Sequence, residues 1–252
     1  MPHNSHYEQP LEEESYFVSM TDMMVGLLFI FILILMYFAL QYQKSTQDLQ
    51  KSTERLQSAE DTREDIIQQI TDNLRKNDIE VRYDERSGVL NLSDKILRFE
   101  TQKASIEPQY EEIIKKLSAA LIAVVPCYAN SPSPPTEKCS TSTHRLEAIF
   151  IEGHTDSDSY KDKDGQDLNW ELSTNRAVNT YRKIIFFENR LDNIKNDKQE
   201  HLISISGYGS KRPIGNNIAD EDKQSNRRIA LRFIMATPKP MDVIENVQEG
   251  LK

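Results

Sequence analysis

Positive charge is in short supply in this sequence. Its 31 Lys and Arg stand against 40 Asp and Glu, a formal net charge of −9 at pH 7. A nucleic-acid binder ordinarily presents a basic face, so the acid excess argues against direct nucleic-acid binding. Cysteine is scarce, with Cys127 and Cys139 alone. No zinc-ligand spacing, GxSxG elbow or P-loop occurs, so the chain carries no motif of the common hydrolase or nucleotide-cleaving classes. The expectation is a protein that is not an enzyme and needs no cofactor. Apolar residues make up only 38% of the chain, and one segment concentrates them.

That segment is FVSMTDMMVGLLFIFILILMYFAL, residues 17–40, in which Met23 to Leu40 carry no charge. It is long enough to cross a bilayer core of roughly 30 Å as a helix. Tyr16 and Phe17 at one end, and Tyr37 and Tyr42 at the other, suit the interfaces. A cleaved leader fits poorly, because neither a basic first region nor a small-residue cleavage site accompanies the apolar run. The expected division is an N-terminal segment 1–16, a membrane helix 17–42, and all else beyond it. Residues 1–16 hold no Lys or Arg, whereas Lys44, Lys51 and Arg55 follow the span. That bias, by itself, places the N-terminus outside. Asp22 lies about one turn inside the apolar run. A charged side chain at a helix centre costs at least ~2.5 kcal/mol on insertion scales. Two readings stand for it: an ion-carrying carboxylate, or an interfacial acid complementing the dipole of a helix N-terminus.

From Gln43 to Asn77 the chain is polar and free of Pro and Gly. Leu49, Leu56 and Ile70 share one heptad phase, and Ile67 and Leu74 another. The expectation for 43–84 is a helical stalk, paired through this thin seam in a homodimer, against the alternative of a solitary solvated helix.

After Gly88 the periodicity changes. Strand patterns at 89–99, 145–154, 202–209 and 227–234 alternate with helical spacing at 108–125 and 172–187. That order predicts an α+β, two-layer α/β sandwich with its helices on one sheet face. Between Cys127 and Cys139 the loop carries Pro132, Pro134 and Pro135. Such a loop closed by a disulfide is natural if the domain lies outside the cytosol, and two free thiols otherwise.

The motifs IEGHTD (151–156), NWELSTNRA (169–177), GYGSKRPIGNN (207–217) and SNRRIALRF (225–233) resemble the OmpA-like peptidoglycan-binding domain, over roughly residues 85–235. The resemblance implies that Asp156 and Arg176 grip the diaminopimelate of the wall peptide, with Asn169, Leu172 and Arg228 nearby. The chemistry agrees: a carboxylate suits the ligand ammonium, and a guanidinium can take a carboxylate bidentately. The plain alternative is a salt bridge joining strand to helix. One departure is SDSYKDKDGQDL, residues 157–168, longer and more acidic than the usual connection. Asp158, Asp162 and Asp164 there do not have the spacing of an EF-hand loop, and no metal is expected.

A span containing TDMMVGLLFIF, a stalk and an OmpA-like domain together resemble the MotB stator subunits, and the stretch 16–35 resembles in particular the ZorB family of Zorya anti-phage systems. The resemblance implies that Asp22 carries H⁺ or Na⁺, that the N-terminus is cytoplasmic in the bacterial inner membrane and the wall domain periplasmic, and that Cys127 pairs with Cys139. It also implies partners: peptidoglycan, a second copy of the chain, and a pentameric ring of ZorA- or MotA-like subunits around that dimer. The tail 236–252 carries no functional reading.

Overall fold

A single helix, α1, runs from Glu13 to Arg75 in the computed structural model, which describes residues 13–84, 87–132, 139 and 144–237. Most of the N-terminal segment and nearly all of the 236–252 tail lie outside the described residues. The absence of Pro and Gly from 43–77 lets the helical hydrogen-bond ladder continue without a break. The chain divides into two units, Met1–Glu54 and Arg55–Lys252.

In the first unit the apolar side chains from Phe17 to Leu40 are exposed. α1 is the one described helix long and apolar enough to cross a membrane.

The second unit starts earlier than its sequence pattern suggests. Ile66, Ile67, Ile70 and Leu74 of α1 are buried in the same core cluster as the inner face of the sheet. The compact unit that holds the sheet starts at Arg55, so the C-terminal part of the expected stalk packs on the sheet. These four residues pack within this chain and are not open to a second copy. A heptad seam records only that one helix face is apolar, and the chain's own sheet satisfies it.

β1 (Arg82–Asp84) and β2 (Val89–Ser93) follow, then α2 (Glu111–Val124), β3 (Leu146–His154), α3 (Asn169–Phe187), β4 (Ile203–Gly207), α4 (Asp220–Asn226) and β5 (Arg228–Met235). The sheet order is β1-β2-β5-β3-β4, with β3 and β4 parallel and the other neighbours antiparallel. The α+β sandwich expected from the pattern is the fold observed. β2 is shorter than the 89–99 run: the chain turns after Ser93, whose carbonyl accepts from the Ile96 and Leu97 amides. Leu97 and Phe99 still reach the core, so the apolar alternation outlasts the ladder. Cys127 and Cys139 form a disulfide.

Two glycines bring α3 onto the sheet. A Cβ on Gly153 would collide with the Ser173 carbonyl, and one on Gly207 with the Thr174 side chain. With no side chain at either position, the helix settles directly against β3 and β4. This close approach sets the N-terminal turns of α3 beside the end of β3.

Candidate functional site

In the first unit the candidate is Asp22 on α1. It is the one charged residue between Tyr16 and Lys44, and its side chain is exposed on the helix. The neighbouring Thr21 hydroxyl donates to the Phe17 carbonyl at 2.7 Å. That local bond occupies the Thr21 hydrogen, leaving the Asp22 carboxylate to meet whatever faces the helix there.

In the second unit a cleft of about 180 Å³ opens where β3 ends and α3 begins. Four of the residues singled out from the sequence line it together: Asp156, Asn169, Leu172 and Arg176. Arg176 is 3% exposed. Its Nε donates to the Lys103 carbonyl at 3.0 Å and its Nη2 to the Glu100 carbonyl at 3.2 Å. The guanidinium also lies over the Phe99 ring. Burial draws its pKa down to about 10, opposed by the nearby carboxylates of Asp94 and Asp156 and reinforced by Arg227. Nη1 has no hydrogen-bond partner among the described residues, which leaves a donor for a ligand. The Asn169 Nδ2 donates to the Asp158 carbonyl at 3.1 Å, tying α3 to the loop that walls the cleft.

Asp156 does not pair with Arg176 by a direct hydrogen bond. One of its oxygens accepts from the Asp158 amide at 3.1 Å, and the other from Arg227 Nη1 at 2.6 Å. Arg227 also donates through Nε and Nη2 to one oxygen of Asp94, at 3.1 and 3.0 Å. Burial disfavours the Arg227 cation, but its two carboxylate partners outweigh burial and raise its pKa. Thr155 also lines this cleft; its hydroxyl is buried and makes no hydrogen bond among the described residues.

Arg228 does not line the cleft with the other four residues. It lies on the opposite sheet face, opposite His154 in the register. There it donates to the Asn91 side chain at 3.1 Å and the Arg212 carbonyl at 3.2 Å, holding a loop, and burial pulls its pKa down to about 10. The arginine in the cleft is Arg227, and strand parity could have found it. Ile229, Leu231 and Phe233 are buried against the helices, and Arg227 shares their parity while Arg228 does not. Asp94 follows the same rule after Leu90 and Leu92. The loop 97–102 could not be placed from sequence, because it reaches the cleft through tertiary packing alone.

The acidic insertion folds on itself. Lys161 and Asp167 pair through their backbones in an isolated antiparallel β-bridge, Gly165 takes a φ of +83°, and one Asp162 oxygen accepts the Asp164 and Gln166 amides at 2.9 and 2.8 Å. Asp158 pairs with Lys223 at 2.7 Å. The carboxylates of Asp158, Asp162 and Asp167 are thus engaged in an ion pair and in turns, and no metal-holding group of three or more His, Cys, Asp or Glu occurs among the described residues.

Behind the cleft, on the Arg228 face, Glu152 receives Arg232 through both oxygens at 2.7 and 3.0 Å. His154 stacks on Tyr208 with ring centroids 5.3 Å apart. Its Nε2 stands 3.6 Å from Glu152, and neither ring nitrogen makes a hydrogen bond. Burial lowers the His154 pKa, and Arg228 and Arg212 add to that effect.

No protein-family model matches the chain. It is similar to Motility protein B of Bacillus subtilis (strain 168), 26% identical over 175 residues, which is 69% of this chain and 56% of that protein. The chain thus spans little more than half the length of that relative. Among solved structures it is similar to the periplasmic domain of Helicobacter pylori MotB, at 21% identity and a TM-score of 0.41, over 65% of this chain and 83% of the other. It is also similar to the cell wall anchor of the T6SS from Pseudomonas aeruginosa, at 15% identity and a TM-score of 0.44, over 68% and 96%.

Proposed function

We propose that this chain is the wall-anchored B subunit of an ion-driven membrane motor. The observation that carries the reading is Asp22, the one charged residue in the apolar stretch 17–43 of α1, a helix long and apolar enough to span a bilayer. A passive tether has no use for an acid there, and its presence is costly. A carboxylate alternating between ionised and neutral can couple ion entry to motion. Each unit charge crossing the membrane releases ~2.3 kcal/mol per 100 mV. Similarity to a motility protein supports the same class. In this reading the span lies in the bacterial inner membrane with the N-terminus cytoplasmic. The second unit is periplasmic, where an oxidising milieu suits the Cys127–Cys139 disulfide.

The cleft supplies the anchor. Asp156 and Arg176 offer opposite charges within one small cavity, complementary to the ammonium and carboxylate of diaminopimelate in peptidoglycan. The chain acts as a homodimer inside a ring of five ZorA- or MotA-like subunits. It carries H⁺ or Na⁺, contacts no nucleic acid and performs no covalent chemistry. The specific role is that of ZorB in anti-phage defence, to which the stretch 16–35 is most akin.

The test is expression with the native neighbouring genes, as wild type and as Asp22→Asn at matched membrane levels. Phage plating is measured alongside swimming of a stator-deficient host. Protection by wild type and its loss in Asp22→Asn is the expected result. Equal protection by both would remove the ion-carrier role and leave a wall-anchored scaffold. Rescue of swimming without protection would move the chain to the flagellar class.

A further inference from the structure

His154 ends β3 two residues before Asp156, yet it faces away from the cleft. It is 1% exposed, and neither ring nitrogen has a hydrogen-bond partner among the described residues. Three pieces of chain bring charged or titratable groups to it. Its own strand supplies Glu152, 3.6 Å from Nε2. The segment after β4 supplies Tyr208, stacked on the imidazole, and Arg212, whose guanidinium lies over the Tyr208 ring at 3.9 Å. β5 supplies Arg228, which holds the Arg212 carbonyl at 3.2 Å, and Arg232, which takes both oxygens of Glu152 and has Asp84 beyond it.

Tyr208 is joined to the cleft by the backbone that follows it. The Tyr208 amide donates to the Gly153 carbonyl at 3.0 Å, and the Gly209 carbonyl accepts the Thr155 amide at 2.9 Å. The Gly209 amide donates to the Ser173 hydroxyl at 2.9 Å, and that hydroxyl donates to the Trp170 carbonyl at 2.9 Å. One residue, Gly209, thus ties the strand end that carries Asp156 to the first turns of α3, which carry Asn169 and Leu172.

We propose that His154 is a positioning residue: when neutral it holds the two walls of the cleft together through Tyr208 and Gly209, and its protonation releases them, so that the grip on wall peptide is lost in acid. This inference rests on the reading of the cleft as a wall-peptide site and adds a control to it. A proton on the ring places a new cation in a desolvated spot beside Arg228 and Arg212, which is costly without a counter-charge. The nearest carboxylate, Glu152, is already engaged by Arg232. Relief comes from moving the Tyr208–Arg212 segment outward, which admits water to the ring. That movement carries Gly209 with it and breaks its bonds to Thr155 and Ser173. The coupling runs through contiguous hydrogen bonds and one ring stack, and it is reciprocal: a ligand that needs the closed walls favours the neutral ring, so acid weakens the ligand. Burial is the first reason the ring stays neutral; Arg228 and Arg212 add to it, and Glu152 opposes them. The grip is therefore full at neutral pH and is lost as pH falls below 6.5.

The test uses the full chain in detergent between pH 7 and pH 5, with circular dichroism confirming the folded state at each step. Trp170 is the single tryptophan and sits on the α3 wall, so its fluorescence reports the wall without any ligand. Retention on purified peptidoglycan sacculi reports the grip. Wild type is expected to show a fluorescence step below pH 6.5 and to lose sacculus affinity by about fivefold or more across the range, the low end of coupling between two sites. His154→Phe keeps a ring on Tyr208, loses no hydrogen bond and cannot take the proton; it is expected to be flat in both readouts. Arg212→Gln removes an exposed cation that opposes the proton, and it is expected to move both midpoints to higher pH. It carries the test by itself should His154→Phe fail to fold. A wild-type profile without a step, a profile shared by wild type and His154→Phe, or midpoints unmoved by Arg212→Gln would overturn the role of His154. A fluorescence step that follows these expectations, with no retention of wild type at pH 7, would overturn the wall reading and leave the positioning role standing.

Discussion

Glu152 and Asp156 are four residues apart and meet opposite fates at the end of β3. Asp156 is turned into the cleft, where Arg227 takes it. Glu152 is buried on the other sheet face, where burial alone would raise its pKa. The two hydrogen bonds from Arg232 and the proximity of His154 outweigh burial and hold it at about 2, against an ordinary 4.5. The folded chain therefore binds this proton less well than the unfolded one. Its contribution, on the order of 3 kcal/mol, is present above pH 4.5 and is lost as pH falls from there toward 2. His154 acts in a higher window. Its folded pKa is depressed below 6.5, so the unfolded chain takes the proton first and stability falls as pH drops below 6.5. We expect urea midpoints of the second unit to decline in two stages on acidification. His154→Gln should flatten the upper stage and Glu152→Gln the lower one. A midpoint that stays constant from neutral down to pH 4.5 would contradict a buried neutral His154.

At the scale of elements, α1 and β5 show what periodicity reports. Both were legible as elements from their apolar spacing, and so were α2, α3, β3 and β4. The partner of an apolar face was not legible. Ile70 and Leu49 fall in one heptad phase, yet Ile70 is buried in the core and Leu49 is 69% exposed. Ile70→Ala should therefore cost about 2–5 kcal/mol of unfolding free energy in the full chain, and Leu49→Ala under about 0.5. Equal, small effects in denaturant titrations would mean that the last turns of α1 do not belong to the folded unit. β5 teaches the complementary point. Its parity tells Arg227 from Arg228, but the sheet had to be oriented before either side could be called the ligand side. β1 and α4 were missed because elements of three and seven residues are too short to show a period.

At the scale of the whole molecule, the two candidate sites fall in separate units, Asp22 in the first and the cleft in the second. Their variants should therefore separate. Arg176→Lys keeps the charge but loses the planar fork that holds the Lys103 and Glu100 carbonyls. It should reduce retention on purified peptidoglycan sacculi by about tenfold or more, with membrane insertion unchanged. Asp22→Asn should be retained on sacculi like wild type. Parallel losses in both variants would show that the two functions are not separable.

The sequence by itself determined the apolar span, its lone carboxylate, the unbroken helix beyond it and the alternation of strands and helices. Each of these depends on spacing along the chain, and local hydrogen bonding and side-chain direction obey that spacing. The same motifs marked Asp156, Asn169, Leu172 and Arg176, and the structure places them around one cleft. Only the tertiary structure decided that 55–75 completes the core, that Arg228 braces the far side of the sheet, and that Arg227 joins Asp94 to Asp156. Those outcomes join residues as far apart as 94 and 227. Which charge meets which across such a separation is settled by the close packing of helix on sheet, through Gly153 and Gly207, and not by any local preference of the residues involved.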